Sequence, residues 1–179
     1  MRIRGLLLIL ATFLTVTTAN AQSGKPLHLY LLMGQSNMAG RGVVTEEYAG
    51  QKHDRVLMLN KDNEWVPAQH PVHFDKPKVV GVGPGLAFGI AMAEADTSIV
   101  IGLIPCAVGG SSIQHWMPGA FDPATKTHPY DDAVVRIKAA AKSGVFKGII
   151  WHQGESDMAP EKAIHYADDL TTVITNIRR

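Results

Sequence analysis

Apolar positions along the chain fall into two patterns. Short unbroken runs at 28–33, 55–59, 98–104 and 148–151 are bounded by glycine, proline or polar clusters, as strands buried on both faces of a parallel sheet are. Longer segments carry helical periodicity. Residues 86–95 predict a helix with little polar surface that packs closely on the sheet. Tyr130, Ala133, Val134, Ile137 and Ala141 recur at helical spacing, so an amphipathic helix is expected over 131–143, with Asp131 and Asp132 at its N-terminus and Gly144 closing it. Pro160 opens a final helix whose apolar stripe runs Ala163, Tyr166, Ala167, Leu170, Val173, Ile174 and Ile177. Strands alternating with helices and glycine-rich loops predict an α/β protein, a doubly wound parallel sheet in one domain. Residues 65–78, with Pro67, Pro71 and Pro77, read as an irregular surface excursion carrying two solvent-exposed histidines, His70 and His73.

The first residues are set apart from this pattern. Arg2 and Arg4 precede an apolar segment from Leu6 to Val16 and then Ala19-Asn20-Ala21, so residues 1–21 read as a signal peptide and 22–179 as the domain. That segment is shorter than the ~20 residues of a spanning helix. A secreted or periplasmic protein follows, with no membrane association after cleavage. The formal charge of +1 supplies no basic field for nucleic acid. A single cysteine, Cys106, has no partner for an internal disulfide, and its apolar neighbours make it a small buried hydrophobe. Pro84 interrupts the glycines at 81–85 and no strand leads into them, so they do not form a dinucleotide site. Neither a cofactor nor a metal is expected.

Chemistry concentrates where strands end. Loops 34–42, 105–113 and 152–157 all leave the carboxyl ends of predicted strands, where α/β sheets place their ligand crevice. In the first loop Ser36 is either a nucleophile or the cap of the next helix. In the second, Gly109-Gly110 either exposes backbone N–H groups to a developing oxyanion or makes a tight turn of positive φ. Three such loops meeting in one crevice favour the catalytic reading, with the N–H of Ser36, the N–H of Gly110 and the side-chain amide of Gln153 as donors. His115 and Trp116 either line a sugar or acyl pocket or cover their own loop. The serine does not lie in G-x-S-x-G, because Met38 stands at the second glycine.

The motifs GQSNMAGRG, PCAVGGSSI and WHQGESD resemble the SGNH hydrolase superfamily, specifically the acetylesterases of carbohydrate esterase family 6 and the sialate O-acetylesterase-like domain, over about residues 27–177. The resemblance implies Ser36 as nucleophile, Gly110 and Gln153 as oxyanion partners, and an O-acetylated carbohydrate as substrate, with Gln35, Asn37, His115 and Trp116 near it. It also implies a three-layer α/β/α architecture on a flavodoxin-like sheet ordered 2-1-3-4-5. The family carries a further strand and a late Asp-x-x-His motif that no residue here matches, so the sheet is expected to lack its last strand. His152 is the nearest histidine by position, but neighbouring strand residues face opposite ways, so it and Gln153 do not both point into the crevice. Glu155 either orients a histidine from such further sequence or serves as a cap. The alternative reading is a catalytically impaired carbohydrate-binding protein on an esterase scaffold. No oligomeric state follows from the sequence.

Overall fold

The computed structural model describes residues 24–178, and the expected signal peptide lies outside the described residues. Strands β1 (Leu27–Gly34), β2 (Val56–Leu59), β3 (Trp65–Pro67), β4 (Val100–Pro105) and β5 (Val145–His152) form one sheet in the order β3-β2-β4-β1-β5. The β2–β3 pair is antiparallel and the other three pairs are parallel. Among the described residues six α-helices accompany them: α1 (Ser36–Ala39), α2 (Glu46–Gly50), α3 (Pro84–Ala95), α4 (Pro129–Ala140), α5 (Pro160–Ala163) and α6 (Tyr166–Ile177).

Side-chain alternation splits the core into two layers. Leu27, Leu29, Leu31 and Met33 of β1 pack with Ala133 of α4 and Val173 of α6 on one face. Leu32 of β1 and Ile101 and Leu103 of β4 pack with Leu86 and Ala93 of α3 on the other. The result is the expected three-layer α/β/α architecture.

The strand order differs from the 2-1-3-4-5 that the resemblance implied. Taken alone, the parallel strands run β2-β4-β1-β5, so the third parallel strand in sequence, not the first, lies next to β2. Every residue of β4 is buried, which requires a neighbour on each side. The β5 strand occupies one edge and is largely exposed or half-buried along its length. One extra residue, Lys147, enters β5 as a bulge, since Leu29 pairs with Phe146 and Tyr30 with Gly148.

Two further expectations are revised. The last helix is broken into α5 and α6 at Ile164 and His165. The 65–78 segment begins as a strand, and its histidines are buried: His70 is 7% exposed and His73 3%. Val72 between them joins the α3-side core, and the chain carrying it draws both rings beneath the surface. Burial pushes the His73 imidazole down to about 4, against partial opposition from Asp75.

Candidate active site

The three polar loops converge at the carboxyl ends of β1, β4 and β5. Gly34 ends β1 with φ +132°, and a Cβ there would overlap the His152 carbonyl oxygen, so the two strands touch backbone to backbone. The Gln35 N–H donates to His152 O at 2.9 Å, and the Val108 N–H donates to Gly34 O at 2.9 Å. These bonds tie the second and third loops to the start of the first.

Ser36 is the first residue of α1, and Gln35 occupies the cap position with no side-chain cap bond. The capping reading of Ser36 is therefore removed. Its side chain is half-buried, and its hydroxyl makes no hydrogen bond among the described residues. The Ser36 carbonyl accepts from Gly40 N at 2.9 Å, whereas no described acceptor takes the Ser36 N–H.

The second loop is pinned at nearly every backbone group. Asp75 Oδ2 accepts the Gly109 N–H at 2.8 Å, and Lys76 Nζ donates to Gly109 O at 2.7 Å. Gly110 O accepts from the Ser156 hydroxyl at 3.1 Å. The Ser111 N–H donates to Val108 O at 3.2 Å, and Ser111 O accepts from Gln153 Nε2 at 3.1 Å. One backbone group in Gly109-Gly110-Ser111 is left without a partner among the described residues: the N–H of Gly110, at φ +85°. The tight turn and the free donor are thus one feature. A Cβ at Gly109 would overlap the Arg41 guanidinium and press on Asp75 Oδ2, so a side chain there would push that pair aside. Arg41 Nη2 pairs with Asp75 Oδ2 at 2.7 Å.

Gln153 does not offer its amide to the crevice, contrary to the expectation that it is an oxyanion donor. Its Nε2 has two hydrogens and three acceptors within reach: Asp157 Oδ2 at 2.6 Å, Gln35 Oε1 at 3.1 Å and Ser111 O at 3.1 Å. The carboxylate of buried Asp157 captures this group and also accepts the Ile113 N–H at 2.8 Å. Gln153 therefore joins all three loops from beneath. Gln35 likewise does not face substrate: it is 4% exposed, and its Oε1 also accepts the Ser156 N–H at 3.2 Å.

Trp116 is 0% exposed, so the pocket-lining reading gives way to the covering one. Its indole N–H donates to Ser111 Oγ at 2.9 Å, and its ring meets Trp151 edge-on at 5.5 Å. His115 is half-buried and turned onto its own loop, where Nδ1 accepts the Ser112 N–H at 3.3 Å. Asn37 is exposed beside Ser36 and donates through Nδ2 to Glu155 Oε1. His152 Nε2 lies 3.9 Å from the same oxygen. Glu155 Oε2 is buried without a partner among the described residues. Cys106 is half-buried, and burial raises its thiol to about 12, so it stays a thiol at neutral pH.

Sequence reasoning missed Arg41, Asp75, Lys76, Asp157 and Tyr166. Asp157 stood inside the third motif, and Arg41 at the end of the first. Asp75 and Lys76 lie in the proline-rich segment read as a surface excursion, and only its long-range fold brings them to Gly109. Tyr166, whose hydroxyl donates to Gln153 O at 2.8 Å, was read as part of an apolar stripe.

Comparison with known proteins gives a consistent family. The model described as "Carbohydrate esterase, sialic acid-specific acetylesterase" matches residues 26–179. A probable carbohydrate esterase from Arabidopsis thaliana is 36% identical over 173 residues, covering 86% of this chain and 64% of that protein. The chain thus spans a little under two thirds of that relative's length. An X-ray structure of an Arabidopsis thaliana protein superposes with a TM-score of 0.73 at 35% identity, over 86% of this chain and 68% of the other. NanS gives 0.67 at 20% identity over 87% and 62% of the two chains. A carbohydrate acetylesterase from Xanthomonas citri gives 0.58 at 20% identity over 86% and 38%. The last two bear on the fold alone.

Proposed function

Since this chain belongs to the carbohydrate esterases of the sialic acid-specific acetylesterase family, we propose that it removes O-acetyl groups from carbohydrate through an acyl-serine intermediate on Ser36. The observation that carries this reading is the pair of backbone donors without a partner among the described residues, the N–H of Ser36 and that of Gly110, in loops that hydrogen bonds tie to one another, the first of them carrying the unbonded Ser36 hydroxyl.

In this mechanism Ser36 Oγ attacks the acetyl carbonyl and its proton passes to a base. The two N–H groups hold the tetrahedral oxyanion, a stabilisation worth about 3–4 kcal/mol for each donor. Collapse expels the sugar oxygen, which takes up the proton, and water then releases acetate from the acyl-serine. The base in this scheme is a histidine. Glu155 is the acid suited to orient it, since its Oε2 lacks a donor and its Oε1 is fixed by Asn37. The basic and apolar pattern of residues 1–21 extends the proposal to a secreted or periplasmic setting, which N-terminal sequencing of the exported protein checks.

Treatment with an organophosphate, followed by mass spectrometry, tests the assignment. Stoichiometric modification of Ser36 with loss of acetate release is the expected result. Hydrolysis of an acetyl ester without modification of Ser36 rejects it. Calorimetry with acetylated and deacetylated oligosaccharides addresses the alternative, since acetyl-independent binding without turnover is what a carbohydrate-binding protein on this scaffold requires.

A further inference from the structure

The donor Gly110 N–H and the carbonyl of Gly109 belong to one peptide unit. The described residues contain a single cis peptide, His70–Pro71, so the 109–110 unit is trans and its C=O and N–H point in opposite directions. Whatever holds the carbonyl therefore aims the N–H. Lys76 Nζ holds it at 2.7 Å. The preceding peptide is fixed through Asp75, which takes the Gly109 N–H and is itself paired with Arg41 at the end of the serine loop.

We propose that Lys76 is a positioning residue for the hydrolytic step, orienting and polarising the Gly109–Gly110 peptide so that its N–H meets the oxyanion. The proposal rests on the esterase reading given above. Three observations support it. The ammonium bonds to the carbonyl of that peptide and not to a carboxylate. It bonds the opposite edge of the peptide from the N–H, so it does not occupy the place where the N–H meets the oxyanion. A cation on an amide oxygen also withdraws charge and strengthens the N–H at the other end, an effect enlarged where water is partly excluded. Gly110 at φ +85° has no side chain to hold this geometry, and only the 3.8 Å approach of Lys76 Nζ lies near its Cβ direction.

The test compares wild type, Lys76→Met and Lys76→Arg in the full chain. Lys76→Met keeps the length of the stem and removes the donor. It is expected to lower kcat about tenfold with KM unchanged, less than the roughly 10²–10³-fold that follows loss of a whole donor. Its affinity for a boronic acid mimic of the tetrahedral intermediate should fall by a similar factor, and Lys76→Arg should restore both. Two-dimensional NMR reads the clamp independently of turnover. The Gly110 amide resonance should shift upfield in Lys76→Met and return in Lys76→Arg. An unmoved Gly110 resonance, a kcat within twofold of wild type, or a loss that Lys76→Arg fails to restore overturns the proposal. If wild type neither reacts at Ser36 nor releases acetate, the esterase reading fails, while the Gly110 resonance still decides whether Lys76 sets that peptide.

Discussion

The two flanks of Ser36 are built differently. On one side, every backbone group of Gly109-Gly110-Ser111 but one is bonded among the described residues, by Asp75 and Lys76, by Gln153 and Ser156 of the third loop, and by Val108 of the same loop. On the other, Glu155 is partly exposed, shares one oxygen between Asn37 and a distant His152, and leaves the other oxygen buried and unpaired. The first flank is fixed in advance, as a donor for a developing charge must be if no reorganisation is to accompany the reaction. The second has capacity for one more donor. In the proposed mechanism, oxyanion stabilisation is thus the more completely assembled part, and proton transfer the less.

The largest test removes the hydroxyl between the flanks. Ser36→Ala should lower acetate release by about 10⁴-fold or more, measured as kcat on an acetylated sugar. Gly109→Ala attacks the fixed flank: its new Cβ displaces Arg41 from Asp75, and a fall of roughly 10²-fold in kcat is expected while circular dichroism stays native. Asp157→Ala removes the buried acceptor of Gln153 Nε2 and Ile113 N–H, which should cost about 3 kcal/mol in urea unfolding. Glu155→Gln, on the open flank, should change unfolding stability by less than about 0.5 kcal/mol while lowering kcat, so that a large loss of stability would erase the contrast.

Acid sharpens the comparison from a neighbouring position. Folding lowers the His73 imidazole to about 4 from an ordinary 6.5, so below 6.5 the unfolded chain binds the extra proton and the folded one does not. Stability should therefore fall as pH drops from 6.5 to 4, by at most about 1.4 kcal/mol per pH unit, and level off below that. His73→Gln should flatten this limb in a pH series of thermal melts. An unchanged slope would show that other groups govern it.

Much of the scaffold was legible because β1, β4 and the helices are coded locally, by unbroken apolar runs and by stripes at helical spacing. Strand order was not, since nothing local to the 98–104 run says which neighbours it takes. The candidate site was half legible. That Ser36 and Gly110 stand in loops at strand ends could be read because strand ends and paired glycines are local signals. Gln153 was misread because its role depends on Asp157 four residues on and on Gln35 and Ser111 from other loops. Trp116 was misread because aromatic residues beside a crevice serve packing as readily as sugar binding. Lys76 and Asp75 had no local signature at all.

The bulge at Lys147 and the bare contact of Gly34 on His152 act together as slack and stop along β5. A residue gained or lost near the entrance of that strand can be taken up at the bulge, whereas beyond it the carbonyl of His152 seats against a position with no room for a methyl group. Past the bulge, the Gln35 N–H bond to His152 O joins this stop, and there the third loop is held in step with the serine by backbone alone.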